Sequence, residues 1–145
     1  MIIDKEISLA IKAAKDSGRL LLENKKELNN KVSVSDKDLK LKADLSSESL
    51  IKELILSNSE YPILAEESGK SEADLGKVFW VVDPLDGTAN YNRGIPICCV
   101  SIGLVQDMKP LVGIIYDFNN DDIYVGNDLE KKATLNGKEI CVSNI

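Results

Sequence analysis

The spacing of apolar residues along the first part of the chain predicts two amphipathic helices. From Ile3 to about Leu28, apolar residues recur every three or four positions, while Lys and Glu fill the opposite face. A second run with the same spacing begins near Asp44 or Ser46, either of which is a good N-cap, and continues to Leu56. We therefore expect two helices that each bury one face against a common core.

The remainder of the chain is typical of short strands joined by turns. The polar, lysine-rich segment from Asn29 to Lys42 alternates only weakly and favours a mobile hairpin or loop. Apolar runs predict strands at residues 61–65, 78–82, 97–105, 111–116, 123–125, 133–135 and 139–142. The run 97–105 is nearly continuous, as expected for a strand covered on both faces, and Asn136-Gly137 is a strong hairpin signal. Helices followed by an antiparallel meander predict an α+β fold, with two N-terminal helices packed on a largely antiparallel sheet.

The segment FWVVDPLDGTAN, which begins at residue 79, concentrates the candidate chemistry. Four apolar residues lead into Asp83 and Asp86, and Pro84 between them has no N–H to donate, so the predicted strand ends at Asp83. Gly87 permits a tight turn, and Thr88 is well placed to cap a new helix. Carboxylate oxygens suit a hard cation such as Mg²⁺, and a helix N-terminus suits phosphate. The same residue types also dominate ordinary turns, so this segment alone leaves a turn and a metal site equally open.

Two other segments place carboxylates at the ends of predicted elements. Glu66 and Glu67 follow an apolar strand and point to opposite sides, so at most one of them reaches a common site easily. Asp44 lies at the start of the second helix, where it is either an N-cap carboxylate or a site residue. If Asp44, Glu66, Asp83 and Asp86 converge, their repulsion would be severe without cations. Two or three Mg²⁺ ions would neutralise such a cluster and bind an anionic substrate.

Composition narrows the possible functions. The 145 residues suit one domain, and the net charge of −6 argues against a nucleic-acid partner. The absence of histidine excludes His-based acid–base catalysis, a Ser-His-Asp triad and a His-ligated zinc site within this chain. Cys98, Cys99 and Cys141 are interpreted as free thiols in a reducing compartment. With neither a signal-peptide pattern nor an apolar run long enough to span a membrane, we expect a cytoplasmic protein with no membrane partner.

Four motifs occur in order along the chain: LAEES at 64–68, WVVDPLDGTANY at 80–91, VSIGL at 100–104 and LNGKEI at 135–140. Together they resemble the inositol monophosphatase family, which belongs to the lithium-sensitive, Mg²⁺-dependent sugar-phosphatase superfamily. The core Asp-Pro-Leu-Asp-Gly-Thr with an upstream Glu-Glu is far more specific than a glycine-rich turn. The resemblance extends from about residue 3 to residue 143, and it implies the first half of the layered sugar-phosphatase fold.

The resemblance also implies an activity and a set of site residues. The activity would be hydrolysis of inositol monophosphate or a similar sugar phosphate by metal-activated water, with two or three Mg²⁺ ions and inhibition by Li⁺. The implied residues are, for metal, Glu66, Asp83, the carbonyl of Leu85 and Asp86; for catalysis, Asp44 and Thr88; and for phosphate, the N–H groups of Gly87 and Thr88. In this scheme Asp44 and Thr88 orient and deprotonate the attacking water.

Family members are considerably longer than this chain, and their second half supplies a further aspartate and the residues that select the substrate. The resemblance therefore implies that residues 1–145 are an N-terminal metal- and phosphate-binding domain without its C-terminal domain. We expect weak metal binding, little turnover by this chain alone, an exposed apolar sheet surface and a possible homodimer. The alternatives are a 3′(2′),5′-bisphosphate nucleotidase, a fructose-1,6-bisphosphatase-like enzyme and, from another class, an inactive half-domain that binds metal or phosphate.

Overall fold

The computed structural model describes residues 3–34 and 39–144. The helices in this part of the chain are α1 (Asp4–Glu23), α2 (Lys25–Leu28), α3 (Lys42–Asn58) and α4 (Thr88–Arg93). The strands are β1 (Lys31–Val34), β2 (Leu39–Leu41), β3 (Ile63–Ala65), β4 (Gly69–Lys70), β5 (Val78–Asp86), β6 (Cys99–Gln106), β7 (Lys109–Asp117), β8 (Asp122–Asn127), β9 (Lys132–Leu135) and β10 (Lys138–Ile140). The expected α+β class is confirmed.

One large sheet carries the fold, with the strand order β10-β9-β8-β7-β6-β5-β3-β4 in the described residues. Neighbouring strands are antiparallel except for β3 and β5, which run parallel, with Ala65 beside Val82. The two carboxyl ends of this parallel pair therefore lie at the same edge of the sheet. β1 and β2 form a separate antiparallel hairpin, as one of the two alternatives for this segment predicts. Residues 35–38 lie outside the described residues.

Helices α1 and α3 pack together on one face of the sheet, over β5, β6 and β7. Small residues on α1 allow this close approach; a Cβ on Gly18 would lie 2.6 Å from the ring of Tyr116. Trp80, Ile102 and Ile51 are among the fully buried side chains of the resulting core. No helix in the described part of the chain is long and apolar enough to cross a membrane.

Two helix boundaries differ from the expected ones. The single first helix expected to reach Leu28 is wrong, because the main chain leaves helical geometry at Asn24, with φ −111° and ψ 23°, where the side-chain amide also donates to the carbonyl of Leu20. The second helix begins at Lys42, earlier than expected. Asp44 is therefore the third residue of the helix, where its Oδ2 accepts the N–H of Leu41 at 2.7 Å.

The opposite face of the sheet has no described element over it. Along β6, the side chains facing the helices are buried, whereas Ser101 and Gly103 on the other face are only partly covered. The expectation that this strand is covered on both faces is therefore wrong for the described chain. Three large apolar side chains on this open face are exposed: Val81 by 37%, Ile115 by 46% and Tyr124 by 39%. A contiguous apolar surface of this kind favours association with other apolar groups.

Replacing Ile115 with Lys should lower the fluorescence of the apolar dye ANS bound to the native protein by about half or more, because it places a charge in the centre of this face. Unfolding free energy should change by no more than about 0.5 kcal/mol, as expected for an exposed position. Leu22→Lys, at a 50% exposed position on α1, is the matched control and should leave dye fluorescence unchanged. An equal loss in both variants would show that the dye does not bind the open face.

Candidate metal and phosphate site

A β-bulge in β5 places two carboxylates on the open face of the sheet. Asp83 pairs with Ser101 and Asp86 with Cys99, so three steps along β5 match two steps along β6. Without this extra residue, side chains three apart in a strand would lie on opposite faces. Since directly opposed residues share a face, Asp83 and Asp86 both lie on the face of Ser101 and Cys99. The strand thus continues through the buried Pro84, and the prediction that it ends at Asp83 is wrong.

Glu66 and Asp83 meet where the parallel pairing of β3 with β5 ends. The N–H of Glu66 donates to the carbonyl of Val82 at 3.0 Å, which extends the β3–β5 pairing by one residue. Their carboxyl groups lie within hydrogen-bonding reach of each other, and repulsion between two ionised groups at this distance favours protonation of Glu66. Partial burial, hydrogen bonding with Asp83, and repulsion from Asp83 and Glu67 raise the pKa of Glu66 from its ordinary 4.5 to about 7. Burial also raises the pKa of Asp83.

Asp44 and Thr88 form a second pair, on the side of the site that faces α3. Thr88 Oγ1 donates to Asp44 Oδ1 at 2.8 Å and also lies 3.1 Å from the carbonyl oxygen of Leu85. Because its other oxygen accepts the N–H of Leu41, the Asp44 carboxylate is fixed in orientation. Burial raises its pKa, while the hydrogen bonds from Leu41 and Thr88 act in the opposite direction. The pair joins α3 to the start of α4.

Gly87 makes the turn between β5 and α4. Its φ of +88° is unfavourable for residues with a Cβ, and a Cβ here would lie 2.7 Å from the carbonyl oxygen of Ile97. Thr88 is the first helical residue rather than the N-cap, since Gly87 occupies the cap position and Tyr91 N–H donates to its carbonyl. The first N–H groups of a helix have no carbonyl one turn earlier to which they can donate. The expected cap role of the Thr88 side chain is therefore wrong, because its hydroxyl binds Asp44.

Asp86 lies apart from the Glu66–Asp83 pair. Its side chain is exposed, and its Oδ2 lies 3.9 Å from the thiol of Cys99. Its charge is nevertheless close enough to contribute to the raised pKa of Asp83. Cys98 is buried, Cys99 is half-buried and Cys141 is exposed, and all three are free. Because burial raises the pKa of Cys99 to about 12, its thiol stays protonated beside Asp86.

Buried polar residues of α3 support the site from the helix side of the sheet. The sequence patterns did not identify them. Glu48 and Ser47 are buried on the same face of the helix as Asp44. Ser47 Oγ donates to the carbonyl of Pro84 at 2.6 Å and contacts the hydroxyl of Ser17 on α1. The sequence contains one signal for Glu48. It lies one helical turn after Asp44, on the helix face that also carries the buried Ile51.

The donors at this corner fit a magnesium ion bound through few protein ligands. No set of three or more His, Cys, Asp or Glu side chains within residues 3–34 and 39–144 is already arranged around a common metal position. The close approach of Asp83 nevertheless contributes to the raised pKa of Glu66, and a cation between the two groups would favour ionisation of both. Mg²⁺ commonly uses one or two carboxylates and completes its shell with water and substrate oxygens. The carbonyl of Leu85 has a second lone pair beyond the one that faces Thr88.

Without metal, the free energy of unfolding should fall as pH rises from 5 to 8. A carboxyl group whose folded pKa lies near 7 and whose unfolded pKa lies near 4.5 stabilises the fold below the lower value, and this contribution is lost as pH passes the higher value. The chain has no histidine to titrate in this window. Urea unfolding in EDTA at four pH values measures the effect, and Glu66→Gln should flatten it. A stability that rises with pH in the wild type would contradict the raised pKa of Glu66.

The chain is similar in sequence to known proteins of one family. A sequence model of the inositol monophosphatase family matches residues 3–144. The chain is similar to the Nus factor SuhB of Xylella fastidiosa (strain Temecula1), with 36% identity over 141 residues that cover 95% of this chain and 50% of that protein. It is 37% identical over 145 residues to a fructose-1,6-bisphosphatase/inositol-1-monophosphatase of Aquifex aeolicus, covering 98% of this chain and 54% of that protein.

The fold is similar to that of a solved structure, the extragenic suppressor protein suhB from Bartonella henselae. The TM-score is 0.88 at 31% identity, over 97% of this chain and 55% of that one. The chain thus spans about half the length of the curated relatives it matches. Because the family model covers nearly every residue and the solved fold superposes over the same length, the chain belongs to the inositol monophosphatase family.

Proposed function

We propose that residues 1–145 are the N-terminal metal- and phosphate-binding half of a Mg²⁺-dependent phosphomonoesterase. Its substrate would be inositol monophosphate or a similar sugar phosphate. The single observation that carries the proposal is the Glu66–Asp83 pair, two carboxyl groups brought within hydrogen-bonding reach where the parallel pairing of β3 with β5 ends. Such a pair is poorly stable when both groups are ionised, unless a cation lies between them.

Glu66, Asp83 and the carbonyl of Leu85 would hold one Mg²⁺, and Asp83 with Asp86 would contribute to a second position. A bound Mg²⁺ supplies the positive charge that this acidic chain lacks and favours ionisation of a water molecule near neutral pH. The bulge supports this assignment because it gives Asp83 and Asp86 the same face. The exposed position of Asp86 leaves room for a further ligand from outside the described residues.

Thr88 and Asp44 would manage the proton of the attacking water. The Thr88 hydroxyl donates its hydrogen toward Asp44, which leaves an oxygen lone pair that can accept a proton from water. Asp44 is buried and has a raised pKa, so it can hold the proton that Thr88 passes on. The N–H groups of Gly87 and Thr88, at the start of α4, would hold the phosphate oxygens.

The relatives support a sugar phosphate as the substrate but leave the alcohol open. The Aquifex relative is named for both fructose-1,6-bisphosphate and inositol-1-phosphate hydrolysis. A bisphosphate substrate is therefore the main alternative, and a 3′(2′),5′-bisphosphate nucleotidase is another. An inactive half-domain that binds metal or phosphate is the alternative from a different class. The residues that would discriminate among the alcohols are expected in the half of the relatives that this chain does not match.

Phosphate release from inositol-1-phosphate, fructose-1,6-bisphosphate and adenosine 3′,5′-bisphosphate tests the proposal. The 145-residue chain is assayed alone and with the C-terminal half of the Aquifex relative supplied as a separate polypeptide. We expect little turnover alone, Mg²⁺-dependent and Li⁺-inhibited turnover of a sugar phosphate in the mixture, and loss of it with Asp83→Asn. Undiminished activity of the isolated chain would refute the partial active site, and a mixture that binds Mg²⁺ without turnover would favour the inactive half-domain.

A further inference from the structure

Helix α3 buries two carboxylates one turn apart, and only one of them has a role in the function proposed above. Asp44 is 1% exposed and binds Thr88, whereas Glu48 is 4% exposed and reaches neither Thr88 nor the Glu66–Asp83 pair. A buried carboxylate is costly to desolvate unless each of its oxygens is hydrogen-bonded. Glu48 lies in the first half of α3, beside the core residue Ile51. We therefore expect both of its carboxylate oxygens to have hydrogen-bond partners.

The partners of Glu48 are two consecutive main-chain N–H groups. Oε2 accepts the N–H of Glu67 at 2.9 Å, and Oε1 accepts the N–H of Ser68 at 3.1 Å. Both oxygens of one carboxylate are thus engaged with the turn between β3 and β4. Hydrogen bonds to a charged acceptor are stronger than those between neutral groups, so this double contact holds the turn firmly against α3.

This turn begins directly after Glu66. Upstream, Glu66 is fastened by its own N–H to the carbonyl of Val82 on β5. Downstream, β3 and β4 pair over only two residues each, and Gly69 reverses the chain with a φ of +74°. The carboxylate of Glu48 holds the N–H groups of residues 67 and 68, and Lys52 of the same helix donates to the hydroxyl of Ser68 at 2.9 Å. The side chain of Glu67 adds an ion pair with Lys40 of the β1–β2 hairpin.

We infer that Glu48 is the positioning residue that keeps the carboxyl group of Glu66 beside Asp83. This assignment rests on the proposed function, since it assigns Glu48 to the support of a metal ligand. Glu48 itself touches neither the carboxyl group of Glu66 nor that of Asp83. Through Glu48 and Asp44, one face of α3 holds both corners of the site, the turn after β3 and the start of α4.

Glu48→Gln tests the inference, because it keeps the shape of the side chain but replaces one acceptor oxygen with an NH₂ group that faces a main-chain N–H. Mg²⁺ affinity is measured by calorimetry at pH 8, together with hydrogen exchange of the Glu67 and Ser68 amides and the ¹³C shift of the Glu66 carboxyl group. We expect the Kd for Mg²⁺ to rise by about 10-fold or more, which is the effect of losing a residue that orients a metal ligand. Amide exchange should accelerate at both positions, and the ¹³C shift should move.

Glu53→Gln is the matched control, since it removes the same charge from an exposed position of the same helix. It should leave all three measurements as in the wild type. Glu48→Asp, which keeps the charge but is too short to reach both N–H groups, replaces the Gln variant if that variant fails to fold, and the same changes are expected of it.

Wild-type Mg²⁺ affinity in a folded Glu48→Gln chain would overturn the inference and leave the proposed function intact. Failure of the wild type itself to bind Mg²⁺ would instead count against the proposed function. In that case the amide exchange and the ¹³C shift test whether Glu48 is a positioning residue. Unchanged values in the variant refute it, and the expected changes support it.

Discussion

Asp83→Asn should reduce the affinity of the chain for Mg²⁺ by about 100-fold or more, the largest effect expected of any single substitution at the site. Asp83 lies within hydrogen-bonding reach of Glu66 and is the residue common to both proposed metal positions. An amide oxygen still accepts the N–H of Leu85, now 3.2 Å from Oδ1, so the local fold should be kept. In EDTA at pH 8 the variant should be at least as stable as the wild type, because it removes a carboxylate that repels Glu66.

Asp107→Asn is the control for this substitution. Asp107 is exposed in the turn between β6 and β7 at a φ of +48°, a conformation that Asn tolerates well. It makes the same change of charge away from the site and should leave Mg²⁺ binding unchanged. Calorimetry gives the affinity, and urea unfolding gives the stability. Equal loss of affinity in both variants would mean that net charge, rather than Asp83, governs the binding.

Gly87→Ala should lower the free energy of unfolding by about 2–4 kcal/mol. Two costs combine at this position. The left-handed φ disfavours any Cβ, and the added Cβ would lie 2.7 Å from the Ile97 carbonyl oxygen and 3.1 Å from the Cβ of Cys98. These atoms belong to the chain entering β6, so relief of the contact would displace the corner that carries Asp86 and Thr88.

Gly94→Ala separates these two costs. Gly94 ends the same helix with a φ of +74°, yet a Cβ there would meet nothing within 4 Å. The variant should lose only the conformational contribution, about 1 kcal/mol. Urea unfolding of both variants measures the difference. Similar losses at the two glycines would show that the contact with Ile97 and Cys98 is not limiting.

The sequence identified the segments that carry the carboxylates but left open whether they converge. Parallel pairing of β3 with β5, which the expected antiparallel meander did not include, brings Glu66 beside Asp83. The sequence does not reveal how the residues from Asp83 onward pair with β6. A proline after Asp83 is consistent both with a strand that ends and with a bulge, and only the pairing with β6 distinguishes them.

Local sequence patterns also gave wrong or missing predictions of burial for residues that contact distant parts of the chain. The apolar run 97–105 looks like a strand covered on both faces, although in the described chain only the face of Val100, Ile102 and Leu104 is packed. Polar residues on a helix are usually exposed, so Ser47 and Glu48 did not stand out. Their burial depends on acceptors and donors that lie far along the chain, at Pro84 and at residues 67–68.

Glu66 and Asp83 are proposed to hold a divalent cation jointly where the parallel pairing of β3 with β5 ends. Mn²⁺, which shares the preference of Mg²⁺ for oxygen ligands, broadens the NMR signals of nearby amides and so reports where it binds. The claim predicts that amides of Glu66, Leu85 and Gly87 broaden first in the wild type and remain sharp in Asp83→Asn. Broadening that begins instead at the acidic turn 117–122, or that is unchanged in Asp83→Asn, would contradict it.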